Sequence, residues 1–213
     1  LSVRARTIIY NKKYVKPTQL STYENLAEPE WKGKLCLRTS KKVYNQSLVA
    51  TMIATLGEKR TEEVVRGWVA NLATDVFADD NAVIKAVAMG QCDVGVVNTY
   101  YLARALDKDP NLSVGLFWAN QKERGVHVNI SGAGVTRAAP NAASGQRLIE
   151  WLSSTTAQGI YTNDDFEYPV NPTVKPDSII RHWGPFKMDL INVSKAGELQ
   201  GAATRLMDRV GYR

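Results

Sequence analysis

Cysteine and histidine are scarce in this sequence, with two of each among 213 residues. Two cysteines are too few for a disulfide-dense scaffold. Two isolated histidines, with no Cys or His cluster near them, exclude zinc fingers and His-rich metal cages. No stretch approaches the ~18 consecutive apolar residues that a membrane span needs. No charged-then-apolar leader ending in a small-residue cleavage site is legible at the start, and internal repeats and low-complexity linkers are missing too. What is present is a 44% hydrophobic fraction with only 23% charged residues, too apolar and too balanced for a disordered chain. The length suits one large domain or two small lobes, either able to bury a core.

The charge is unevenly placed. The formal net charge is +6, and Lys and Arg concentrate in the first 60 residues. Such an excess can mark a nucleic-acid footprint. Here Lys12, Lys13, Lys16, Lys32, Lys34, Lys41 and Lys42 fall in turn-like or strand-flanking stretches, without an interleaved platform of stacking aromatics. A plain solvated surface fits best, attraction of small anions or acidic partners is the alternative, and no nucleic-acid partner is expected.

Hydrophobic periodicity sets out the elements. Leu1–Asn11 reads as a strand, and a domain that starts inside a strand suggests the remainder of a longer protein. Ser21-Thr22-Tyr23-Glu24 has the capping-box pattern. Leu35–Arg38 is a short strand, and Asn45–Leu56 is a helix with Gly57 as its stop. Helices start at Thr61 and at Asp79/Asp80, the acids suiting a helix N-terminus. Asp93–Asn98 reads as a strand covered on both faces, Tyr100–Leu106 opens a helix, and Val114–Trp118 is a strand. Val126–Ile130 alternates as a half-buried strand, and Ala142–Thr155 is a helix with Leu148, Trp151 and Leu152 inward. Tyr168–Pro172 is extended, and a last helix covers about Ala196–Val210. Strands alternating with helices predict an α/β fold with a mostly parallel sheet.

Most chemical motifs dissolve on inspection. Ser131-Gly132-Ala133-Gly134 is half a dinucleotide loop, but Arg137 stands where the third glycine belongs. Ser153-Ser154 has no nucleophile elbow around it, which disfavours a hydrolase using His127 or His182. Asp164-Asp165 lacks the spacing of a calcium loop. His127 on an alternating strand suits a core or hinge position.

The tyrosines differ. Tyr100 and Tyr101 are adjacent where a buried strand gives way to a helix, the edge at which open α/β sheets bind ligands. Tyr44 holds the matching place in the preceding unit. Three phenols on one edge can be ordinary packing, an aromatic binding surface or a metal site. As phenolates they are hard anionic donors suited to Fe(III), because a bound cation removes a proton that free tyrosine holds to a pKa of about 10.

Val43-Tyr44-Asn45-Gln46-Ser47-Leu48-Val49-Ala50 together with Val97-Asn98-Thr99-Tyr100-Tyr101 resembles the bacterial periplasmic ferric-iron-binding proteins, over the whole of Leu1–Arg213. These are the substrate-binding components of iron ABC transporters. The resemblance implies a type II periplasmic-binding-protein fold, α/β in two lobes joined by hinge crossover strands. It implies Tyr44, Tyr100 and Tyr101 as iron ligands, with Asn98 close behind them and Arg104 nearby. It also implies delivery of Fe(III) to an inner-membrane ABC iron permease, with a small synergistic anion as a further partner. Binding, not catalysis, is the expected activity. A small organic or oxyanion ligand on the same fold is the alternative. Full-length members of that family carry an additional N-terminal segment, so the first lobe is expected to be incomplete here.

On that basis residues 1–11 are expected as a hinge strand and residues 12–120 as the tyrosine-bearing lobe. Residues 121–180 should hold the second hinge strand and part of the other lobe, and 181–213 a helical segment that packs back on the first. Cys36 and Cys92 lie on or beside the two strands leading to the tyrosine turns. In a periplasmic protein they can pair as a disulfide, the alternatives being free thiols or, least of all, metal ligands.

Overall fold

β1 (Ser2–Asn11) is ten residues long, more than any other strand, and it organises the sheet. The computed structural model describes residues 1–213. From Arg6 to Asn11, β1 lies between β3 (Val94–Asn98) and β4 (Val114–Phe117), with β2 (Leu35–Cys36) beyond β3. From Ser2 to Ala5 it pairs instead with β5 (Val128–Ser131), and at Ser2–Val3 also with β6 (Tyr168–Pro169). One strand thus leaves one set of partners and enters another, with the change at Arg6, whose N–H donates to the carbonyl of His127.

The expectation of a mostly parallel sheet is corrected. Only β2 and β3 pair in parallel, whereas β1 runs antiparallel to all four of its partners. β3 and β4 still point the same way, joined by the crossover helix α4 (Thr99–Lys108), as the strand–helix alternation required. Periodicity cannot reveal that an earlier strand of opposite direction inserts between them.

Both faces of this sheet are covered. Ile8 and Ile9 are fully buried, yet they face different cores, since successive side chains of a strand point to opposite sides. On the Ile8 side lie α1 (Val43–Leu56), α2 (Glu58–Ala70) and α8 (Val193–Arg209), with Leu48, Met52, Trp68 and Leu206 interlocked. On the Ile9 side lie α3 (Asp80–Ala88) and α4, supplying Val83, Val87 and Leu102. Gly95 is required where α3 crosses β3, because an added Cβ would sit 2.7 Å from Val83 Cγ1. Cys36 and Cys92 form a disulfide, with Cα atoms 5.9 Å apart.

Several local expectations shift. The turn near Ser21 is closed by Thr22, whose hydroxyl accepts the Asn25 N–H, so no Ser21 capping box forms. The helix expected over 142–155 is two helices, α5 (Ala142–Leu152) and α6 (Thr155–Asp165), because Ser154 caps a new start by accepting from the Ala157 N–H. Leu148 and Trp151 are exposed rather than inward, and Leu152 is only half-buried. Their stripe is amphipathic, but no element of this chain lies over it. Val126–Ile130 does not alternate in burial either. Its first residues enter the core and Ile130 emerges into solvent. Only Tyr168–Pro169 of the extended segment pairs as strand, and α7 (Ser178–His182) follows it.

Candidate metal centre

Each tyrosine sits where a strand unit hands over to a helix. Tyr44 occupies the first turn of α1. Tyr100 and Tyr101 occupy the first turn of α4, directly after β3. The two turns are held side by side because β2 and β3 are parallel neighbours and the Cys36–Cys92 bridge ties their approaches together. The rings of Tyr100 and Tyr101 are tilted against each other with centroids 4.4 Å apart.

The three phenols are neighbours, since both Tyr44 and Tyr101 bear on the titration of Tyr100, but the only hydrogen bond to the Tyr100 hydroxyl comes from the Asn98 amide. Burial raises the Tyr100 pKa above its ordinary value of 10.0. The Asn98 amide, donating to the phenol oxygen at 3.5 Å, works the other way, and the neighbouring phenols raise it further. The Tyr100 phenol therefore holds its proton until a cation supplies the opposing charge. Tyr100 is buried against Ala103, Phe166 and Ile180, while Tyr44 and Tyr101 remain partly open to solvent.

Cationic groups surround the cluster. The guanidinium of Arg38 lies 4.8 Å from the Tyr44 ring centroid, and that of Arg6 lies 6.0 Å from it. Arg104 lies 5.1 Å from the Tyr100 ring and pairs with Asp165 at 2.8 Å. Beside Tyr101, an open cleft of about 640 Å³ between α3 and α4 is lined by Lys85, Arg104 and Lys108. No group of three His, Cys, Asp or Glu side chains is placed to hold a metal ion. The phenol oxygens are hard donors, a chemistry that fits a hard trivalent cation.

The sequence reading missed what lies beneath the tyrosines. Asp79 caps α3 through the Ala82 N–H, as an N-terminal acid should. Asp80 instead is wholly buried, pairing with Arg6 at 2.9 Å and approaching Arg38 at 3.6 Å. In the sequence, Arg4 and Arg6 alternate with Val3 and Ala5, a pattern that reads as a solvent face. His127 is buried too, and burial together with Arg6 and Arg124 lowers its pKa to about 3. Its Nε2 lies 3.2 Å from the Ser47 hydroxyl and its Nδ1 3.3 Å from that of Thr51, so it is a core residue locking α1 to the segment before β5.

Comparison with known proteins places the chain in a family. The family of bacterial extracellular solute-binding proteins matches residues 1–183. Iron uptake protein A1 of Synechocystis is 42% identical over 99% of this chain, and iron uptake protein A2 of the same organism is 41% identical over 99%. The chain spans 60% and 63% of the length of those two relatives, which is less than two-thirds. A solved Trichodesmium protein (IdiA, FutA), in complex with iron and citrate, superposes with a TM-score of 0.96 at 45% identity. That match covers all of this chain and 69% of the other.

Proposed function

The chain belongs to the bacterial extracellular solute-binding protein family, and on that premise we propose that it captures Fe(III) in the periplasm and hands it to an inner-membrane ABC iron permease. Tyr44, Tyr100 and Tyr101 are the ligands. The observation that carries this reading is the placement of the three phenols in the first turns of α1 and α4, on one edge of the sheet, close enough for Tyr44 and Tyr101 to bear on the Tyr100 phenol. Three phenolates neutralise a trivalent ion, and oxygen donors match its hardness. The activity is binding without turnover. The Cys36–Cys92 disulfide suits an oxidising compartment such as the periplasm.

Residues 1–11 and β5 act as the hinge crossover. Residues 12–120 form the tyrosine-bearing lobe, 121–180 part of the other lobe, and 181–213 the segment returning to the first. A further segment, absent from these residues, covers the exposed apolar side chains Leu148, Trp151 and Ile160 and completes the other lobe. Closure of two lobes about the hinge then sequesters the ion.

A second reading keeps the fold and replaces the ion by a small organic or oxyanion ligand. The basic lining of the cleft at Tyr101 favours it, and the same lining suits a synergistic anion held beside iron. The test is the visible spectrum of the full chain after addition of ferric citrate. A phenolate-to-iron charge-transfer band supports iron capture, and its shift and weakening in Tyr101→Phe assigns that ligand. A colourless complex with the anion alone supports the second reading instead.

A further inference from the structure

Arg6 stands at the residue where β1 changes partners, and its guanidinium, 1% exposed, points under the tyrosine cluster. A guanidinium has five N–H donors in a rigid plane, and here all five are used. Nε donates to Asn45 Oδ1 at 2.8 Å. Nη1 donates to Asp80 Oδ2 at 2.9 Å and to Asn98 Oδ1 at 3.0 Å. Nη2 donates to the Val96 carbonyl at 3.0 Å and to Asp80 Oδ1 at 3.4 Å.

The partners fall in the two tyrosine turns. Asn45 follows Tyr44 directly, and its amide donates onward to the Arg38 carbonyl at 2.8 Å. Asn98 precedes Tyr100 by two residues, and its amide reaches the Tyr100 hydroxyl. Asp80 completes the brace by accepting the Asn98 backbone N–H at 2.8 Å.

Asn98 also departs from a local rule. It occupies the N-cap of α4, yet its side chain makes no capping bond. An asparagine there ordinarily accepts an N–H of the first turn, worth about 1 kcal/mol. In this chain the side chain is turned away from the helix, between Arg6 and Tyr100. The Oδ1 that would accept the capping N–H accepts from Arg6 instead, which leaves the amide facing the Tyr100 phenol.

We propose that Arg6 is a positioning residue that ties the crossover strand to both tyrosine turns, through Asn45 on one side and Asn98 on the other, and so sets the relative placement of the phenol oxygens. The proposal rests on the reading of these tyrosines as iron ligands. The backbone of Arg6 is held equally firmly. Its N–H donates to His127 and its carbonyl accepts the Tyr23 hydroxyl, so any rotation about the crossover carries the guanidinium with it. A lysine keeps the charge but has neither the plane nor the five donors, and it cannot span both turns.

The experiment compares Arg6→Lys, Asn45→Ala and Asn98→Ala with the parent full chain. Three readouts are the near-ultraviolet circular dichroism of tyrosine without iron, the charge-transfer band with ferric citrate, and iron affinity by citrate competition. The expected result is an altered tyrosine signal in all three variants, a displaced band, and affinity lower by about 10–100-fold, the range for groups that orient metal ligands. Folded Asn45→Ala and Asn98→Ala proteins with unchanged tyrosine signal, band and affinity overturn the proposal, leaving Arg6 a structural ion pair only. These two variants leave the buried charges paired, so they decide the matter even where Arg6→Lys fails to fold. The iron-free signal separates the two readings: a parent protein with no band refutes the ligand assignment, while the tyrosine signal still judges Arg6.

Discussion

Cys36 and Cys92 bridge the start of two parallel strands, Cys36 within β2 and Cys92 two residues before β3, and the chain between them spans 56 positions. Both residues are buried among Ile9, Val83 and Val87. The bridge joins the approaches to the Arg38–Tyr44 turn and to the Tyr100–Tyr101 turn before any ligand arrives. Replacing both cysteines by alanine is expected to lower stability by roughly 2–4 kcal/mol, chiefly by freeing the unfolded chain. Denaturant unfolding measures the loss. A thiol assay on the denatured, unreduced parent should find no free thiol.

Removing the Tyr101 hydroxyl is expected to separate binding from folding. Tyr101→Phe keeps the ring packed against Tyr100 and alters a partly exposed position, so stability should move by no more than about 0.5 kcal/mol. Ferric affinity should fall at least about tenfold, equivalent to 1.4 kcal/mol or more. Citrate competition and thermal unfolding, run on the same sample, check both parts. Unchanged affinity would remove Tyr101 from the ligand set.

Asp80 is the single carboxylate set against Arg6 and Arg38 in the buried layer below the tyrosines. Asp80→Asn leaves two cationic groups out of water without a counter-charge. The expected cost is about 3–5 kcal/mol, the usual penalty for breaking a buried pair from one side. Combining it with Arg38→Met should recover part of that loss, because one of the unpaired charges goes with it. Chemical denaturation of the single and double variants tests the coupling.

His127 gives the protein an acid-sensitive step. Its pKa is held near 3 in the fold, by burial first and then by Arg6 and Arg124. In the unfolded chain it is about 6.5. Between those values the unfolded chain binds a proton that the folded protein refuses. Stability is therefore complete above pH 6.5 and declines as pH falls toward 3, with a slope approaching about 1.4 kcal/mol per pH unit. The other polar groups at the ring, Ser47, Thr51 and Asn129, are neutral and do not titrate in this window. His127→Gln is expected to flatten the decline, as measured by unfolding free energy at pH 4.5 and 7.

Much of the fold was legible in the residues alone, because burial on a helix or strand leaves a period. The α1 stripe Leu48, Val49, Met52, Ile53 and the continuous apolar run of β3 appear as elements within a residue or two of their expected bounds. The last helix is displaced by no more than three residues at either end. Strand direction has no such period, so the insertion of β1 antiparallel between β3 and β4 was invisible until the strands were paired in space. The adjacent pair Tyr100-Tyr101 could be singled out from its place after β3. The place of Tyr44 on the same edge, more than fifty residues earlier, followed from its matching position after β2 in the preceding unit, and its expected role as a ligand from the resemblance of both motifs to iron-binding proteins. Arg6, Arg38 and Asp80 could not be found at all. A charge in a sequence pattern counts as a surface position, since taking it out of water costs too much without a partner. The partners that make burial tolerable here, Arg6 to Asp80 and to Asn98, lie 74 and 92 positions apart and meet only when the sheet closes. Local periodicity therefore determined which segments form the layers, and tertiary pairing alone decided which charges are buried between them.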